Sequence, residues 1–272
     1  MKGKVLSFLV PFSLVILALT GCTSGEKSAS PASSSASATE KPKITVAAAA
    51  NLKSAFKEIA ANFENKTGSK VELTFGASGT LEQQIENGAP FDVFASANVK
   101  FVDKLVSEDK AFSDTEKLYA KGRVGLATSK KSTIQVKTLQ DLLKPEVKKI
   151  ALAKPEAAPY GAAAKQALEK AGLWSQAEKK IVYAKTIEDA LTLVTSGNTE
   201  AGFVALAIVK DDEVNFSLID EKLHKPLNQA IAVVKATKQE SLARQFVDYV
   251  TSPEGQEIMK KYKFEIPTGK KK

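Results

Sequence analysis

The chain of 272 residues contains one cysteine, one histidine, one tryptophan and two methionines. A single cysteine excludes an intramolecular disulfide, and one histidine beside it leaves too few ligands for a zinc site. Ser-His-Asp catalysis would have to run through His224, which sits in the polar stretch 222–226 and reads as a surface residue. There is no phosphate-binding glycine loop ending in Lys-Ser/Thr, and Ser78 in Gly76-Ala77-Ser78-Gly79 lacks the spacing of a hydrolase elbow. The chain is therefore not expected to be an enzyme. The formal charge is +8, yet the basic residues are dispersed and not interleaved with aromatics. That pattern argues for a solvated surface and against nucleic acid.

Long apolar runs are scarce too. The first, residues 5–19, is broken by Ser7, Pro11 and Ser13, whereas a spanning helix needs about 20 apolar residues in a row. With Lys2 and Lys4 ahead of it, the run reads as a secretory signal. Leu19-Thr20-Gly21-Cys22 follows and resembles a bacterial lipoprotein signal. Residues 1–21 are accordingly expected to be removed and Cys22 lipidated, which anchors the protein durably on a membrane. Residues 22–42 are rich in Ser, Ala and Thr, with Pro31 and Pro42 and no large apolar side chain. They cannot bury enough surface to fold and are expected to form a disordered tether.

In the rest of the chain, short apolar segments alternate with helical patterns. Strands are predicted at 44–48, 71–75, 91–95, 124–127, 150–153, 181–183, 201–204 and 230–234. Helices are predicted at 52–63, 81–87, 162–171, 187–196, 239–251 and 253–262. Alternation of this kind implies an α/β protein with mainly parallel sheets, in which ligands bind beyond the carboxyl ends of the strands.

Four strand-to-helix turns are built from small residues and short polar groups: Ala48-Ala49-Ala50-Asn51-Leu52, Gly76-Ala77-Ser78-Gly79-Thr80, residues 155–161 around Pro159-Tyr160-Gly161, and Ala184-Lys185-Thr186-Ile187. A helix start presents unpaired N–H groups and about half a positive charge, which suits an anion. Asn51, Ser78 and Tyr160 can add side-chain donors. Taken singly, Asn51 and Ser78 read as ordinary N-caps, Tyr160 as a packed phenol and Ile187 as an apolar helix contact. Four such turns in one chain, with Lys185 the sole cation among them, shift the reading towards a neutral anion site.

These turns, with Asn87-Gly88-Ala89-Pro90-Phe91-Asp92-Val93-Phe94, Gly197-Asn198 and Gly202-Phe203-Val204-Ala205-Leu206, resemble the periplasmic molybdate-binding proteins of ABC importers, in order and at matching spacing over residues 43–267. The resemblance implies a two-lobed periplasmic-binding-protein fold, each lobe a mainly parallel sheet flanked by helices. Hinge crossings are expected near residues 119–123 and 227–230, giving lobes of 43–121 with 230–272 and of 122–229. It further implies an oxyanion held at Asn51, Ser78, Tyr160 and Ile187, the last through its backbone N–H, with Ala205 ranked last. In one branch of the family the first position is serine, the third alanine, and a tyrosine stands at the place of Ala205. This chain follows a second branch, in which the Pro-Tyr-Gly turn supplies the phenol.

No cofactor is implied. The expected ligand is molybdate or tungstate, and the expected partners are a permease with its cytoplasmic ATPase. The protein should be a monomer, lipid-anchored outside the cytoplasmic membrane or periplasmic where an outer membrane exists. Neutral donors without a carboxylate favour a fully deprotonated dianion over monohydrogen phosphate, whose proton needs an acceptor. Sulfate or phosphate on the same fold is the alternative.

Overall fold

A computed structural model describes residues 41–267. The signal segment, Cys22 and nearly all of the tether lie outside the described residues, as does the tail at Lys270–Lys272. Among the described residues no helix is long and apolar enough to cross a membrane.

The chain first alternates strands and helices: β1 (Lys43–Ala49), α1 (Lys53–Thr67), β2 (Lys70–Gly76), α2 (Ser78–Glu86), β3 (Val93–Ser96), α3 (Val99–Ser107) and β4 (Lys117–Gly122). A second series follows: β5 (Val124–Ser129), β6 (Ile150–Ala153), α4 (Pro159–Lys170), α5 (Trp174–Ala177), β7 (Ile181–Ala184), α6 (Ile187–Thr195), β8 (Ala201–Ala205) and β9 (Val214–Leu218). The chain then returns through β10 (Leu227–Val233) to α7 (Glu240–Thr251) and α8 (Pro253–Lys261).

Two five-stranded sheets result, ordered β2-β1-β3-β10-β4 and β7-β6-β8-β5-β9. In the first, β1 pairs in parallel with β2 and β3, and β10 runs antiparallel to both its neighbours. In the second, β6 pairs in parallel with β7 and β8, and β5 runs antiparallel to β8 and β9. Each sheet thus has one reversed strand, fourth in order, and that strand is the one formed on arrival from the other sheet. The reason is geometric. A βα unit re-enters its sheet at the far end, whereas a chain crossing the gap enters at the near end and must run away from it.

Small residues let the central strands sit between covered faces. Ile44, Val46, Ala47 and Ala48 of β1 are fully buried, as expected for a strand packed on both sides. Helix α1 buries Ala55, Phe56, Ile59, Ala60 and Phe63, a single stripe at helical spacing. Phe63 meets Phe246 of α7 edge-on, centroids 5.2 Å apart, and each buried phenylalanine contributes about 1.5–3 kcal/mol. Gly68 ends α1 in the left-handed region, φ 69°, a conformation that costs glycine no steric strain.

The crossing at Gly122–Val124 is tied to the C-terminal segment. Lys121 and Glu265 exchange backbone hydrogen bonds of 2.8 and 3.1 Å, and Arg123 bridges Glu221 at 2.9 Å and Glu265 at 3.1 Å. Burial pushes the Glu265 carboxyl up, but hydrogen bonds from Arg123 and Lys121 outweigh it and hold the group below the usual range.

Candidate functional site

Strands β1, β2, β6 and β7 end at the gap between the two sheets, and each leads to a helix start there. β1 passes into a short 3-10 turn at Ala50–Leu52, β2 into α2, β6 into α4 and β7 into α6. One small cavity is lined by Ala49, Ala50, Asn51, Gly76, Ala77, Ser78 and Ala97 from the first sheet's side, and by Ala158, Pro159, Tyr160 and Ile187 from the second's. Its volume is about 10 Å³, room for one water. No charged side chain lines it. Larger hollows occur elsewhere, such as one of about 540 Å³ bounded by Gln166, Glu169, Lys170, Lys222 and Lys225, which is a charged surface recess.

Three of the four starts at this cavity lack a side-chain cap. Asn98 caps α3 and Ser252 caps α8, each accepting a backbone N–H. The 3-10 turn, α2 and α4 instead follow Ala49, Ala77 and Ala158, and none has a side-chain cap. A capping Ser, Thr, Asn or Asp stabilises a helix by about 1 kcal/mol over alanine. Alanine at three starts facing one cavity leaves N–H groups uncovered where an anion could meet them. The fourth start, α6, has a capping box between Thr186 and Asp189. That box covers the N–H of Asp189 and leaves the N–H groups of Ile187 and Glu188 without an intrahelical partner. The default reading of Asn51 and Ser78 as N-caps is corrected here: Ser78 is the first residue of α2 and Asn51 lies inside the 3-10 turn, because Ala77 and Ala49 occupy the cap positions.

Asn51, Ser78, Tyr160 and Ile187 are 2%, 1%, 1% and 4% exposed and line the same cavity. The Ser78 hydroxyl accepts the Ala97 N–H at 3.0 Å, which leaves its own proton for another acceptor. The Tyr160 hydroxyl accepts from Asn51 Nδ2 at 3.3 Å and from Gln229 Nε2 at 3.0 Å. Asn51 Nδ2 also donates to Gln229 Oε1 at 3.1 Å, so both its hydrogens are engaged. Burial pushes the Tyr160 phenol above its ordinary range, although hydrogen bonds from Gln229 and Asn51 pull the other way. The group is therefore a neutral donor. Ala205 lies outside this lining, fully buried at the end of β8 and paired with Val124, and its methyl offers no donor.

Two residues the sequence reading passed over belong to this cluster. Gln229 is fully buried on β10, and Tyr119 on β4 donates to Gln229 Oε1 at 3.0 Å or to Ser96 O at 3.1 Å. The available signal was a glutamine directly ahead of the apolar run 230–234. Across the gap, Gly79 N–H donates to Ala157 O at 2.8 Å, and Lys53 stands 3.9 Å from Glu188. Burial pushes the Glu188 carboxyl up, opposed by Lys53 and Lys210.

Residues 44–265 match the family model described as bacterial extracellular solute-binding protein. The chain is 36% identical over 220 residues to the molybdate-binding protein ModA of Rhodobacter capsulatus, covering 80% of this chain and 86% of that one. It is 34% identical over 265 residues to the putative ABC transporter substrate-binding lipoprotein YvgL of Bacillus subtilis, covering 93% and 97%. The periplasmic molybdate-binding protein of Azotobacter vinelandii superposes with a TM-score of 0.77 at 29% identity, over 83% of this chain and all of that one. By sequence and by fold, this chain belongs to the family of bacterial extracellular solute-binding proteins and is a binding protein, not an enzyme.

Proposed function

We propose that the protein captures molybdate, and tungstate with it, outside the cytoplasmic membrane and delivers it to the permease and ATPase of an ABC importer. The observation that carries this reading is the convergence of four helix starts on one cavity with no charged side chain in its lining. Ser78 Oγ and Tyr160 Oη each keep a proton to donate, the Ile187 N–H is uncovered, and Asn51 offers its backbone N–H while its side chain braces Tyr160. Helix dipoles supply the positive potential that a dianion needs. The names of the Rhodobacter and Azotobacter relatives support molybdate as the member of the oxyanion class. The Bacillus relative's name supports the importer and a lipid anchor, which here would be carried by Cys22 after loss of residues 1–21, with 22–42 as the tether.

Calorimetric titration with molybdate, tungstate, sulfate and phosphate in parallel tests the assignment. Tight binding of the first two alone is expected. Comparable affinity for sulfate or phosphate would move the ligand to another oxyanion on the same fold.

The lobes, residues 43–121 with 230–272 and residues 122–229, close on the ligand by bending at the crossings. A cavity this small must widen to hold a tetrahedral anion, so the complex stands slightly more open at the site than this structure and more closed than the free protein. An anion that touches both lobes stabilises the closed form by its extra affinity for it. X-ray scattering should therefore show a smaller radius of gyration at saturating molybdate, and an unchanged radius would overturn the bridging role.

A further inference from the structure

Gln229 is positioned to fix the direction of every hydrogen bond around the Tyr160 hydroxyl. It sits on β10 at a break in register with β4 between Gln229 and Ala230, and it is fully buried. Its Oε1 is committed as an acceptor, facing Asn51 Nδ2 at 3.1 Å and the Tyr119 hydroxyl at 3.0 Å. With the oxygen so placed, the amide presents its Nε2 to Tyr160, which it meets at 3.0 Å. Asn51 Nδ2 adds a second donor to the same phenolic oxygen. A phenol has one proton and lone pairs for about two incoming hydrogen bonds. Here both are filled, and among the described residues the phenol donates to no protein acceptor. Its proton is left for the cavity.

The chain makes room for this contact at the hinge. A Cβ at Gly122 would stand 2.0 Å from Tyr160 Oη and 2.7 Å from Gln229 Nε2. Glycine at the end of β4 is thus what lets the Tyr160 side chain on α4 meet the Gln229 amide on β10 of the first sheet.

We propose that Gln229 is a specificity-determining positioning residue: by filling the acceptor capacity of Tyr160 it makes the phenol an obligate donor, so the site rejects oxyanions that carry a proton. This rests on the oxyanion reading above. A monohydrogen phosphate whose O–H faces Tyr160 would meet a donor there and stay unpaired, whereas molybdate and sulfate present bare oxygens only. Gln229→Met keeps the length of the side chain and deletes the donor. It frees one lone pair on Tyr160 to accept the proton of phosphate.

The test measures affinities for molybdate, sulfate and inorganic phosphate in neutral buffer, for the wild-type protein, Gln229→Met, Tyr160→Phe and the double variant. In Gln229→Met the molybdate-to-phosphate ratio should fall about tenfold, the worth of one hydrogen bond, while the molybdate-to-sulfate ratio stays put. In the Tyr160→Phe background the same substitution should leave the molybdate-to-phosphate ratio within about twofold. A purely structural role would lower all three affinities together and leave both ratios unchanged, and that result overturns the proposal. Gln229→Leu, which also lacks the donor and carries no charge, must give the same fall in ratio if the methionine variant does not fold. Wild-type protein that binds none of the three anions would instead sink the oxyanion reading, and this proposal with it.

Discussion

Gly161→Ala is expected to destabilise the protein by about 3 kcal/mol or more, seen as a fall in Tm of roughly 6–12 °C. A Cβ at position 161 would lie 1.9 Å from the carbonyl oxygen of Ala153 and 2.7 Å from its carbon. Both are backbone atoms at the end of β6, so no rotamer change relieves the overlap. Gly161 is the third residue of α4, and its lack of a side chain lets the start of that helix press directly against the strand it follows. That contact sets where Tyr160, the preceding residue, projects. Gly172→Ala is the useful comparison. Gly172 has φ +71° and no neighbour within 4 Å, so alanine there pays only for a left-handed backbone, about 1–2 kcal/mol. Thermal melts of the two variants should therefore rank Gly161→Ala well below Gly172→Ala. Equal melting points would mean that α4 does not pack on β6 as described.

The elements most legible in the sequence are those whose pattern is local. β1, β6 and β8 are short apolar runs beside helical spacing, and their observed bounds differ from the predicted ones by a residue or less at each end. The starts of α2 and α4 were placed three residues late, at 81 and 162, because the small and polar residues Ser78-Gly79-Thr80 and Pro159-Tyr160-Gly161 look like loop. They are helical all the same: Pro159 fits the first position of α4, where its missing N–H costs nothing, and Ser78-Gly79-Thr80 open α2 directly after Ala77. α3, β4 and β9 were passed over altogether, although Asn98 ahead of Phe101, Val102 and Leu105 is a cap followed by an apolar stripe. At the site, Asn51, Ser78, Tyr160 and Ile187 stood out because each opens a helix. Gln229 and Tyr119 did not, since they act through partners 69 to 178 residues away and carry no local motif. A polar residue in a buried strand shows its purpose only once the distant elements that it meets are folded against it.

Ser78→Ala combined with Tyr160→Phe is expected to weaken molybdate binding more than about 100-fold, from the loss of two hydroxyl donors each worth roughly 1.5–3 kcal/mol to a charged acceptor. The two hydroxyls sit on opposite lobes, Ser78 on α2 and Tyr160 on α4, so each single variant still leaves the anion held from both sides by backbone N–H groups. Neither single change should therefore abolish binding, and their effects should add, because the two side chains share no hydrogen-bond partner. Both substitutions delete an oxygen and add no atoms. The Ala97 N–H loses its acceptor in one, and Gln229 Nε2 with Asn51 Nδ2 in the other, at about 1–3 kcal/mol of stability each. A circular-dichroism melt alongside the titration separates the two losses: the double variant should stay folded at 25 °C while its heat of binding disappears. Affinity within tenfold of wild type in a folded double variant would mean that the helix starts alone hold the anion. In that case Ser78 and Tyr160 only shape the wall, and selectivity would have to come from the fit of the cavity, not from its donors.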